Sequence, residues 1–216
     1  LLLGCCILLH TAQVTAQTAQ PYLIGRGITD VTGPAVGIPM WGFGRPDQID
    51  EGIHIRQRSR AFVIAQADDP DQRLVFVSAD LGSIDHHIAL EVVERLQQRF
   101  GTRYTLDNVI ISATHTHSGP GGYWQSRSDS GLDGGLYPEH FEAIAAGITA
   151  SIVKADDDLQ PGTIFINSGR VANAGANRSA VAYLENPPAE RARYNENTNT
   201  EMILLKFVDG SGEIGM

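Results

Sequence analysis

The hydrophobic pattern divides the chain into short strands and two amphipathic helices. Ala61–Gln66 (AFVIAQ) and Leu74–Ser78 (LVFVS) are apolar runs rich in β-branched residues, and Asp68-Asp69-Pro70-Asp71 between them is turn chemistry, so the pair predicts a β-hairpin. Ile84, Ile88, Val92 and Leu96 recur every four residues; Ser83 can cap the helix this predicts, and Gly101 can stop it after Phe100. Asn108–Ala113 reads as the next strand. Pro138 suits the first turn of a second helix that carries Phe141, Ile144, Ile148 and Ile152 on one face. Gly162–Asn167 and Glu201–Val208 complete about five strands, while the glycine-rich stretch from Tyr22 to Pro46 reads mostly as loop. Alternating strands and helices in the middle, with hairpins at the edges, predict an α/β fold: a mixed β-sheet flanked by helices. The motifs fall at strand ends, where open α/β sheets place their ligand sites.

Both ends of the chain bear on its extent. Residues 1–9 (LLLGCCILL) are too short to span a bilayer but suit the apolar region of a signal peptide, and Val14-Thr15-Ala16 offers small residues before Gln17. With no basic leader and no initiator methionine, residues 1–16 read as a truncated signal peptide, which implies a secreted or extracellular protein. At the other end, Asp209-Gly210-Ser211-Gly212 is a turn, and Glu213 begins a partner strand for Glu201–Val208. The chain therefore reads as an internal piece of a longer protein. No transmembrane span is predicted.

Composition narrows the chemistry. The chain has 216 residues, is 42% hydrophobic and carries a net charge of −9, which disfavours a nucleic-acid partner because such binding draws on a basic patch. An apolar substrate needs no positive field and stays open. The two cysteines, Cys5 and Cys6, lie in the first apolar run, so neither a disulfide framework nor a cysteine zinc site is available.

Thr114-His115-Thr116-His117-Ser118-Gly119-Pro120-Gly121-Gly122 is the most informative stretch. Residues i and i+2 of an extended backbone project from one face, so both imidazoles can reach one site at the end of the strand. Neutral imidazole is a zinc ligand and a general acid or base. The spacing alone leaves metal binding, catalysis and a pair of hydrogen-bonded histidines in a polar turn all open.

Other residues carry weaker signals. Arg178, in Asn177-Arg178-Ser179, presents a fork of donors that suits a carbonyl, hydroxyl or carboxylate, or equally a structural ion pair. The same triplet is a glycosylation sequon. Asp30-Val31-Thr32-Gly33-Pro34 resembles an Asx-turn, with a metal role for Asp30 as the alternative. Asp80 ends a strand and could accept from a ligand imidazole, as carboxylates behind metal-bound histidines do, or cap the following helix. His86 and His87 fall in the first turn of that helix; neither they nor His54 and His140 receive a role from local sequence. No Gly-x-Ser-x-Gly elbow or phosphate-binding loop is present.

Several stretches together resemble the neutral ceramidase family: Gly27 to Pro34, Met40-Trp41-Gly42-Phe43-Gly44, Arg58 to Phe62, Val75 to Asp80, Thr114 to Gly122, and Asn177-Arg178-Ser179 through Tyr183, Asn186-Pro187 and Glu190 to Tyr194. They occur in family order across nearly the whole chain after its first apolar run. The resemblance implies a zinc-dependent amidohydrolase that cleaves ceramide, presented at a membrane or micelle surface, to sphingosine and a fatty acid. It implies one zinc ion held by two histidines, a glutamate and a tyrosine, with His115 as a ligand and with His117 and Arg178 in the active site as catalytic and substrate-binding residues. It also implies that residues 17–216 are the N-terminal part of a larger catalytic domain, that an immunoglobulin-like domain follows it and, in some members, that a structural calcium ion is held with the backbone at His54 contributing. The second zinc histidine, the glutamate, the tyrosine and the family's active-site serine would all lie beyond Met216. The chain as it stands is therefore expected to be inactive and to bind zinc poorly. Another secreted zinc amidase, or a non-catalytic lipid-binding fragment, is the alternative.

Overall fold

A computed structural model describes residues 22–45, 47–124, 135–209 and 212–214. The apolar run at residues 1–9, with Cys5 and Cys6, lies outside the described residues. One seven-stranded sheet organises the chain, with strands β1 (Tyr22–Asp30), β2 (Arg58–Gln66), β3 (Arg73–Ala79), β4 (Val109–Ala113), β5 (Gln160–Arg170), β6 (Glu201–Asp209) and β7 (Gly212–Glu213) in the order β4-β3-β2-β1-β5-β6-β7. Only β3 and β4 run parallel; every other neighbouring pair is antiparallel. This is the mixed sheet the pattern predicts. The parallel pair needs a crossover, and α1 (His86–Phe100) supplies it.

The sheet buries one face. Ala61, Val63 and Ala65 of β2 and Val75, Val77 and Ala79 of β3 alternate inward and pack with Ile88, Val92 and Leu96 of α1 and with Ile144, Ile148, Ile152 and Ala155 of α2 (Pro138–Asp157). The helix faces read from the sequence are thus the ones that meet the core.

Two expectations change. The segment read as loop from Tyr22 holds β1, paired along its whole length with β2. Gly25 and Gly27 hid it, because glycine weakens a strand pattern. They are there because α2 lies directly on the strand: a Cβ at Gly25 would fall 1.8 Å from the Ala155 carbonyl oxygen, and one at Gly27 2.0 Å from that of Ser151. The N-cap of α1 is Asp85, whose carboxylate accepts from the His87 backbone N–H, and not Ser83. The polar and aromatic segment after Arg178 contains two short helices, α3 (Ala180–Leu184) and α4 (Pro188–Arg191).

Candidate metal and catalytic site

The site stands at the C-terminal ends of the parallel pair. Backbone pairing runs on past both strands, with the Thr114 N–H donating to the Ala79 carbonyl (2.9 Å) and the Thr116 N–H to that of Leu81 (3.2 Å). The histidine segment is thereby laid along residues 79–82. A third segment closes in from far back in the chain, where Trp41 N–H donates to the Gly119 carbonyl and Met40 bridges to Pro120.

The two imidazoles meet, but not through an extended backbone. His115 has φ +62°, a left-handed conformation uncommon for a residue with a side chain. Even so, the rings of His115 and His117 lie 4.8 Å apart and nearly perpendicular at 86°. Trp41 sits against both, 5.3 Å from His115 and 5.1 Å from His117. Gly82 makes room for it, since a Cβ there would fall 2.1 Å from the indole.

Each ring is held by a backbone carbonyl. His115 Nδ1–H donates to Gly82 (2.8 Å) and His117 Nδ1–H to Trp41 (3.0 Å), because a carbonyl can only accept. That fixes the tautomer of the neutral ring and leaves its Nε2 as the nitrogen with a lone pair, the form in which histidine binds a metal. His115 is exposed and His117 half-buried, so both remain accessible. The donor chemistry fits part of a zinc shell. Among the described residues, no group of three or more histidine, cysteine, aspartate or glutamate side chains is placed to hold a metal ion.

Asp80 does not stand behind His115. Its carboxylate accepts from Arg60 (2.8 Å) and from the Arg58 backbone N–H (2.9 Å), so the carbonyl of Gly82 takes the orienting role expected of it. Nor does Asp80 cap α1. Its contribution is to tie the end of β3 to β2.

Asp30 makes the Asx-turn read from the sequence, with Thr32 N–H donating to Oδ1 at 2.8 Å. Arg56 donates to its other oxygen at 3.0 Å. Desolvation would raise the Asp30 carboxyl, but the Thr32 and Arg56 hydrogen bonds outweigh it and hold the group below the usual carboxylate range.

Ser83 has a different task from the cap expected of it. Its backbone exchanges hydrogen bonds with the Tyr123 hydroxyl (3.2 Å each), and its Oγ accepts from Trp124 Nε1 (3.1 Å). Those contacts pin the chain just after the Gly121-Gly122 turn. Trp41, Gly82 and Ser83 are the site residues that the sequence reading missed as such. The signals available for Trp41 were its place in the Met40-Trp41-Gly42-Phe43-Gly44 stretch and a tryptophan in glycine-rich surroundings.

A cavity of about 520 Å³ opens beside this segment. Thr114, Thr116 and Ser118 line it together with Met40, Ile53 and Gln57, but neither His115 nor His117 does. Asp50, nearly buried, also lines it, and burial raises its carboxyl. His54 is a lining residue with no ligand group gathered around it among the described residues.

Arg178 is not brought to the histidines by anything described in the chain. It is exposed, just before α3, and lines neither this cavity nor a second one bounded by Arg170, Tyr183 and Glu196. Its neighbour Asn177 is engaged locally, accepting from the Ser179 N–H (2.9 Å) and donating to the Asn197 carbonyl (3.2 Å). His140 is fully buried, against Tyr123, and belongs to the core. No described helix is long and apolar enough to cross a membrane.

Comparisons with known proteins place the chain in a family. The neutral ceramidase of Oryza sativa subsp. japonica is 44% identical over 199 residues, covering 92% of this chain and 25% of its own. That of Pseudomonas aeruginosa is 39% identical over 213 residues, covering 99% of this chain and 31% of its own. The crystal structure of the Pseudomonas aeruginosa neutral ceramidase superposes with a TM-score of 0.83 at 41% identity, over 90% of this chain and 30% of that one. The chain thus spans about a quarter to a third of the length of these relatives. Residues 22–216 match the family model described as neutral/alkaline non-lysosomal ceramidase, N-terminal, and the chain belongs to that family.

Proposed function

We propose that this chain is the N-terminal part of a zinc-dependent amidohydrolase that cleaves the N-acyl bond of ceramide, taken from a membrane or micelle surface, to give sphingosine and a fatty acid. The observation that carries this reading is the His115–His117 pair, each ring held at Nδ1 by a backbone carbonyl, which leaves Nε2 to act as a ligand or a proton carrier. The relatives named as neutral ceramidases supply the substrate class.

In this reading, His115 is a zinc ligand through Nε2, and the Gly82 carbonyl keeps that lone pair available. A zinc ion in such a site supplies a Lewis acid for an amide carbonyl and brings the pKa of bound water down to about 7. Amide cleavage also requires a proton for the departing nitrogen. His117 can carry one at Nε2, since its Nδ1–H stays committed to Trp41. Arg178 offers donors for the charge that builds on the amide oxygen, once it is drawn toward the histidines. The remaining zinc ligands come from outside the described residues, which leaves the chain by itself inactive and a poor zinc binder. A structural calcium site at His54 and a secreted location, from the signal-like run at residues 1–9, complete the proposal.

The test is a chimera in which residues 22–216 replace the matching part of the Pseudomonas aeruginosa enzyme. His115→Ala in that chimera should abolish both stoichiometric zinc and ceramide turnover. Zinc and turnover that both survive the substitution would refute the ligand assignment.

A further inference from the structure

Residues 172–178 link the end of β5 to α3, and Arg178 is the last of them. Backbone pairing stops on either side. The Val171 N–H donates to the Thr200 carbonyl (2.8 Å) before the excursion, and the Tyr183 N–H donates to that of Ser179 (3.0 Å) after it. Among the described residues, none from 172 to 178 makes a backbone–backbone hydrogen bond of good geometry. Ordering such a stretch costs backbone entropy, which some other contact has to offset.

The side chain of Asn177 provides that contact. Its Oδ1 accepts from the Ser179 N–H at 2.9 Å, which makes an Asx-turn with Arg178 at its apex. Its Nδ2 donates to the Asn197 carbonyl at 3.2 Å, 20 residues further along the chain. One amide thus shapes the turn and fastens it to the segment that leads into β6. An ion pair between Arg170 and Glu196 at 2.9 Å joins the same two stretches. Arg178 itself is exposed, and among the described residues its guanidinium has no hydrogen-bond or ion-pair partner. The turn is held while the donor fork it carries stays uncommitted. The triplet is also a glycosylation sequon, but the Nδ2 that a glycan would substitute is the atom that meets Asn197.

We propose that Asn177 is a positioning residue for Arg178: its amide holds the turn against Asn197, so that the guanidinium reaches the amide oxygen of the substrate from a fixed backbone. The inference rests on the catalytic role proposed for Arg178. A misplacement of about 1 Å in a catalytic group costs on the order of 100-fold in rate, and the two bonds of Asn177 limit such a displacement here. The charge that Arg178 meets develops only in the transition state. Loosening the turn therefore lowers kcat and leaves KM in place.

A double-mutant cycle in the chimera described above tests the proposal. Asn177→Ala removes both bonds, whereas Asn177→Asp keeps the acceptor for Ser179 and loses the donor for Asn197. Each should lower kcat for ceramide about 10- to 100-fold, with KM within about twofold and zinc stoichiometry intact. In an Arg178→Ala background, itself slowed about 100- to 1,000-fold, Asn177→Ala should cost nothing further. Ser179→Ala destroys the sequon but spares the backbone N–H, and Ser179 makes no side-chain cap on α3, so kcat should not change. A full kcat in Asn177→Ala overturns the proposal. So does a loss that repeats undiminished in the Arg178→Ala background, a loss of zinc along with activity, or a Ser179→Ala variant as slow as Asn177→Ala. Should Arg178→Ala itself keep full turnover, the catalytic role of Arg178 fails and this inference with it; should Arg178→Ala be slow and Asn177→Ala fast, this inference fails alone. If Asn177→Ala does not fold, the aspartate variant carries the test, and if the chimera does not fold, alanine at the matching positions of the intact Pseudomonas aeruginosa enzyme gives the same readout.

Discussion

Gly82 lies flat against the indole of Trp41, so close that a Cβ on the glycine would stand 2.1 Å from ring atoms Cδ2 and Cε3. The carbonyl of Gly82 orients His115, and that of Trp41 orients His117. One contact between two uncharged residues therefore sets the position of both imidazoles. Gly82→Ala should push the indole aside, with an overpacking cost of about 1–3 kcal/mol. Thermal unfolding with tryptophan fluorescence checks this: the transition should fall and the Trp41 emission should shift. An unchanged transition would mean that the indole has room the structure denies it.

The tautomers give a second prediction. Long-range proton–nitrogen NMR correlations should place the proton of the neutral ring on Nδ1 in both His115 and His117, leaving Nε2 as the unprotonated nitrogen. An Nε2–H form at His115 would remove the lone pair that the zinc proposal requires.

His140 predicts a pH dependence. Burial pushes its imidazole down to about 4, and the Pro120 backbone offsets this only in part. The folded protein thus keeps the ring neutral, while the unfolded chain takes up a proton near the ordinary value of 6.5. Stability from this group is complete above about pH 6.5 and is lost as pH falls toward 4, by up to about 3 kcal/mol. Chemical denaturation at pH 7, 6, 5 and 4 should show the decline, and His140→Phe should reduce its slope. A slope that the substitution leaves unchanged would assign the decline to carboxylates instead.

Arg73 and Asp156 form the most deeply buried ion pair among the described residues, with side chains 4% and 10% exposed. The Tyr104 hydroxyl donates to the same carboxylate, and burial first, then Asp156, raises the phenol above its ordinary value. Asp156→Asn leaves the Arg73 guanidinium charged, buried and without its counterion. The expected loss is about 3–5 kcal/mol, read from the urea midpoint. Replacing Arg73 and Asp156 together by Met and Leu should recover much of that loss.

The sequence was most legible where a period and a boundary residue agreed. The two long helices, the β2–β3 hairpin and the histidine-bearing strand all had both, and all are present. β1 was hidden because its glycines answer to α2, a helix more than a hundred residues later in the chain, and no local pattern carries that information. The cap of α1 moved from Ser83 to Asp85 because Ser83 is held by Tyr123 and Trp124. Asp80 was a sound candidate to orient His115, but two arginines of β2 claim it. The left-handed turn at His115 has no signature in the residue itself. The imidazole pair was therefore readable in advance, whereas the tryptophan wedge and the carbonyls that aim it were not.

Trp41 and His117 touch across a separation of 76 residues. Synthesis at about 5–20 residues per second would put roughly 4–15 s between them. The indole is made first, and for that interval it waits without the imidazoles it will stack against. The centre cannot assemble before residue 117 has been made, and by then the crossover helix and β4 are already part of the chain.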